Sequence, residues 1–70
     1  MTKFRFTVSY SKAHEARREI GQFDSMDEAE AAARKAGAVG QGQKSGRDTV
    51  YDVNDHEGDD SYAIWIEQNV

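Results

Sequence analysis

Five carboxylates stand within nine residues in the segment Asp52-Val53-Asn54-Asp55-His56-Glu57-Gly58-Asp59-Asp60, with no Lys or Arg among them. Their formal charge of −5 exceeds the −4 of the whole chain, so the other 61 residues sum to +1. Carboxylates at this density have several uses. They ligate hard cations, which take several carboxylate oxygens. They dock on Lys/Arg surfaces. They also keep a turn solvated and discourage edge-to-edge pairing of strands. The EF-hand spacing fails. Counting from Asp52, the sixth position is Glu57, where the calcium loop needs Gly. The twelfth is Ala63, where a bidentate Glu is needed. No metal or cofactor is assigned.

Other residues that could carry chemistry are isolated. Gly37 to Ser45 resembles the phosphate loop G-x-x-x-x-G-K-[ST] with one residue too many. It also follows a helix, whereas a phosphate loop must run into a helix N-terminus, where amides cradle the anion. His14 and His56 stand apart from any nucleophile, and the acids cluster in one loop rather than across a cleft. Ser25 is explained as a helix cap. No catalytic residue is assigned, and the expectation is a protein that is not an enzyme. Trp65 is different. Alternation within Ser61–Glu67 puts it opposite Tyr62, Ile64 and Ile66, on a face that one helix cannot also cover. An exposed Trp is an interface anchor, or it is a platform on which Arg5 stacks.

The elements that position these residues follow from periodicity. Lys3 to Tyr10 alternates strictly, with Phe4, Phe6, Val8 and Tyr10 on one side, and predicts a half-buried strand. Ala16 to Phe23 predicts a second strand anchored by Ile20, with Gly21 marking a bulge. Ser25-Met26-Asp27-Glu28 is a capping box that opens a helix. That helix carries Met26, Ala29, Ala32, Ala33 and Ala36 on one face and ends at Gly37. Residues 37–46, with four glycines, read as a flexible connector. Asp48–Val53 and Ser61–Glu67 predict a second hairpin with the acidic segment at its tip. The expected fold class is α+β. It is a two-layer β-β-α-β-β domain, with one helix on one face of a four-stranded, mainly antiparallel sheet. Phe4, Phe6, Val8, Ile20, Tyr51, Val53, Tyr62, Ile64 and Ile66 are expected on the covered face. Arg5, Thr7, Val50, Ala63 and Trp65 are expected on the open one.

Seventy residues make one domain, and no cysteine supplies a disulfide or thiolate metal site. Residues 1–20 hold no apolar h-region, so the chain reads as a complete cytoplasmic protein with no membrane partner. Residues 1–47 carry nine Lys/Arg against six Asp/Glu, while residues 48–70 carry seven Asp/Glu and no Lys or Arg. This balance argues against direct nucleic-acid binding, which needs a dense basic patch.

As a class, the chain resembles small phage- or plasmid-encoded inhibitors, including anti-CRISPR proteins. The shared features are one short domain, no Cys, an acidic surface cluster and no catalytic constellation. The resemblance implies an inhibitor that occupies a basic nucleic-acid-binding surface of a protein partner. The contact residues would be Asp52, Asp55, Glu57, Asp59, Asp60, Tyr62 and Trp65. It would then act in the host-cell cytoplasm. The mildly basic first 47 residues depart from a pure DNA mimic. The alternative is a self-associating module, a homodimer formed through the open face or a sheet edge.

Overall fold

The computed structural model describes residues 4–59 and 61–69. Lys3 and Asp60 lie outside the described residues. The element order is β1 (Phe6–Ser11), β2 (Arg18–Phe23), α1 (Met26–Lys35), β3 (Ala38–Ser45), β4 (Asp48–Val53), a 3₁₀ turn (Asn54–His56) and β5 (Ala63–Gln68). The sheet has five strands in the order β2-β1-β5-β4-β3, and every neighbouring pair is antiparallel. The small α+β class is as expected, and the strand count is corrected from four to five.

The added strand is the segment expected to be a flexible connector. β3 pairs with β4 from Ala38↔Val53 to Ser45↔Asp48, with a register shift between Val39 and Gln43. Gly46 and Gly42 each fit this pairing. Gly46, at φ 65°, closes the two-residue turn into β4. Gly42 lies where a Cβ would come within 2.4 Å of Thr49 Cγ2 and 2.8 Å of Tyr51 Cζ. Only a residue without a side chain lets the edge strand lie beside the Tyr51 ring.

α1 starts as its sequence dictates. Ser25 is extended at the N-cap, and its Oγ accepts from the Glu28 amide at 3.2 Å. The reciprocal Glu28 bond to the Ser25 amide is not formed among the described residues. The helix ends at Ala36, with Gly37 at φ 120° donating to the Arg34 carbonyl. Ten residues span about 15 Å, and four inter-strand gaps span about 19 Å. One short helix therefore carries the chain from edge strand β2 to the opposite edge, β3. Ala29 and Ala33, both 0 % exposed, let it lie close to the sheet.

Register sorts the two faces, because residues directly opposite on paired strands share a face. Val8↔Ile66, Tyr10↔Ile64, Thr49↔Ile66 and Tyr51↔Ile64 define the helix side, where Val53 also enters the core. The bulge lies where expected, since the β1–β2 register skips Ile20 between Val8↔Gly21 and Ser9↔Glu19. The skipped position leaves Ile20 at 41 % exposure, so it is not a core anchor. Phe4 also departs from expectation: it precedes β1 and is 37 % exposed. Asn69 takes over the pairing there. Its amide donates to the Arg5 carbonyl at 2.8 Å and its Nδ2 to the Phe4 carbonyl at 3.0 Å. No helix among the described residues is long and apolar enough to cross a membrane.

The Tyr51 hydroxyl donates to Glu30 Oε2 at 3.2 Å, fastening β4 to α1. Burial raises the phenol's pKa above its ordinary value; the Glu30 charge and hydrogen bond add to this, and Arg34 opposes it. A raised folded pKa gives stability that is complete below the unfolded phenol's pKa, about 10. That stability is lost as pH rises through the folded value. Tyr51→Phe should cost about 1 kcal/mol near neutral pH. Urea titrations should show the gap between wild type and Tyr51→Phe closing above about pH 10. A gap that stays constant to pH 11.5 would remove this role from the Glu30 bond.

Candidate functional site

The acidic segment connects β4 to β5 at one end of the sheet. Asp52 ends the open-face row of β4 opposite Val39 of β3, and its side chain is exposed. Asp55 lies in the 3₁₀ turn, followed by Glu57 and Asp59, and all three are exposed. The connection is ordered by local bonds. The Asp59 amide donates to the His56 carbonyl at 3.0 Å, and Asp59 Oδ1 accepts from the Ser61 amide at 2.9 Å. His56 stacks on Tyr62 with ring centroids 3.7 Å apart and planes 9° apart. Tyr62, half-buried, also packs against the core. It therefore ties the connection to the sheet rather than standing free as an anchor. Among the described residues, Asp52, Asp55, Glu57 and Asp59 form no ion pair, and no group of three His, Asp or Glu converges to hold a metal.

Trp65 lies on the open face between Ser9 of β1 and Val50 of β4. The residue stacked on it is Arg17, not Arg5. Its guanidinium carbon stands 3.8 Å from the ring centroid. The β1–β2 loop carries Arg17 over the face, whereas Arg5 stands before β1 and offers its carbonyl to Asn69. Arg17 Nη1 reaches Glu67 Oε1 at 3.0 Å and lies 3.9 Å from Asp48 Oδ2. Ser9 Oγ donates to the same Glu67 oxygen at 3.2 Å. The indole Nε1 is buried with no acceptor among the described residues.

The open face is thus less open than expected. Thr7, Ser9 and Ala63 are buried among larger neighbours, at 9, 4 and 6 % exposure. Strand alternation puts Asp52 and Glu67 on this face, and register adds Glu19 and Asp48. Strand alternation sets Glu67 on the Trp65 face, as the register shows, whereas sequence reasoning missed Arg17 and Asp48 as companions of Trp65. Asp48 was readable as two residues before Val50. Arg17 carried no signal, because its position depends on the path of a loop.

Two surface depressions, of about 410 and 740 Å³, lie beside Tyr10 and Ile20 and beside Phe4 and Phe23. Neither is lined by Trp65, Tyr62 or a carboxylate of the acidic segment. No family model matches the chain, and no curated protein or solved structure matches it either.

Proposed function

We propose that this chain is a non-enzymatic binding protein that occupies a basic, nucleic-acid-binding surface of a protein partner. This is the mode expected of a small inhibitor of the anti-CRISPR type. The observation that carries the reading is the uncompensated charge of the β4–β5 connection. Its described carboxylates are exposed, ordered at one end of the sheet and paired with no cation. Asp52 joins that charge to the carboxylates of the open face. Such a surface steers a cationic partner toward it and fixes the docking register, with a range of about 8 Å at physiological salt. Self-association through the open face is less well supported, since it would bring two negative surfaces together.

The test is to immobilise the protein and capture partners from cytosol at low and high salt. The variant with Asp55→Asn, Glu57→Gln, Asp59→Asn and Asp60→Asn serves as comparison. Wild type should retain a partner that added DNA or RNA displaces. The variant should associate roughly tenfold more slowly or worse. Equal retention by both proteins at every salt concentration, or a partner that nucleic acid never displaces, would overturn the reading.

A further inference from the structure

We propose that the open face holds a guanidinium-recognition site, formed by the Trp65 indole with the Glu67 and Asp48 carboxylates. Arg17 fills it in cis, and an arginine side chain of the partner takes it over on docking. The inference deepens the reading above and rests on it for the nature of the partner.

Arginine suits this constellation by its shape. A planar guanidinium stacks on an indole face while its N–H groups reach carboxylates in the same plane, which an ammonium cannot do. The resident Arg17 displays both contacts, at 3.8 Å from the ring centroid and 3.0 Å from Glu67. Ser9 Oγ holds the Glu67 oxygen that Arg17 reaches, and Asp48, directly cross-strand from Glu67, lies 3.9 Å from the same Nη1. Two carboxylates face one cation here, and Glu19 and Asp52 add negative charge to the same sheet face.

The occupant is held less firmly than the site. The site residues stand on β4 and β5, two paired strands near the middle of the sheet. Arg17 comes from the loop between Ser11 and Arg18, and its side chain remains 42 % exposed. Within that loop the backbone makes one internal hydrogen bond, from the Glu15 amide to the Lys12 carbonyl. His14 there adopts φ 62°, a conformation unusual for a residue other than glycine. A tethered occupant competes at an effective concentration on the order of millimolar, so it screens out weak cations and yields to an arginine backed by further contacts.

Trp65 is the single tryptophan, so its fluorescence reports the site directly. Arg17→Ala and wild type are titrated with N-acetylarginine amide, and with the lysine analogue in parallel. The expected result is a saturable change in Arg17→Ala, with apparent affinity roughly tenfold or more above wild type. The lysine analogue should bind more weakly, and adding Glu67→Gln should abolish the response. Circular dichroism establishes that each variant is folded. A folded Arg17→Ala that does not respond to arginine, or that responds to lysine equally, overturns the proposal.

The assay uses no partner, so the two readings fail separately. If arginine binding fails while capture still depends on the acidic connection, only this site falls. If arginine binds but the charge-neutralised connection captures partners as well as wild type does, the docking reading falls and takes the nature of the partner with it, while the arginine site stands.

Discussion

Ile64→Ala should remove most of the stability of this protein, and Ile20→Ala should remove little. Both isoleucines stand in strands, and the sequence nominates both for the core, Ile64 by alternation and Ile20 as the apolar anchor of its strand. The structure separates them. Ile64 is 0 % exposed on β5, cross-strand to Tyr10 and Tyr51, and faces the Ala-rich side of α1. Truncating such a side chain loses its transfer free energy and leaves a cavity, together about 2–5 kcal/mol. A core in a chain this short supplies roughly 3–5 kcal/mol in total. Ile64→Ala is therefore expected to be largely unfolded at 37 °C. Ile20 is the bulged residue at 41 % exposure, and its loss should cost under about 1 kcal/mol. Urea unfolding followed by Trp65 fluorescence measures both. Equal destabilisation by the two variants would mean that Ile20, not Gly21 or Glu19, sits within the β1–β2 pairing.

What the sequence made legible was whatever repeats with the period of its own element. Phe6, Val8 and Tyr10, Thr49, Tyr51 and Val53, and Tyr62, Ile64 and Ile66 all segregate by strand alternation. Ser25 announces its helix by a local bond to Glu28. Legibility stopped where the deciding contact is distant in sequence. Residues 37–46 carry few side chains to alternate, so β3 is invisible until Tyr51 and Thr49 are seen to need Gly42 beside them. The same limit explains the Trp65 site. Its face was readable, but the stacking cation was expected to be Arg5, on the same strand alternation as Thr7. Arg17 reaches it instead through a loop whose course no short-range rule dictates. The acidic connection was legible as a hairpin tip, because both flanking strands alternate. The His56–Tyr62 stack that anchors it was not.

Gly42→Ala gives the sharpest contrast between a flexible connector and an edge strand, because the two predict opposite signs. In a mobile connector, replacing Gly with Ala restricts the unfolded chain and stabilises by about 0.4–1 kcal/mol. In β3, the new methyl would stand 2.4 Å from Thr49 Cγ2 and 2.8 Å from Tyr51 Cζ. Neither neighbour yields easily. Thr49 is β-branched and 7 % exposed, while the Tyr51 ring is 3 % exposed and held by its hydroxyl to Glu30. Forcing a methyl into packed surroundings costs about 1–3 kcal/mol, enough to strip β3 from the sheet edge. Removing the obstructing methyl should recover part of the loss, so Thr49→Ser combined with Gly42→Ala should show favourable coupling of about 0.5 kcal/mol or more. Gly40→Ala is the control. A Cβ there meets nothing within 4 Å, so its φ of 71° alone sets the penalty. Thr49→Ser should do nothing for it. Stabilisation by Gly42→Ala, or equal rescue of both alanine variants, would return residues 37–46 to the flexible connector that their composition implies.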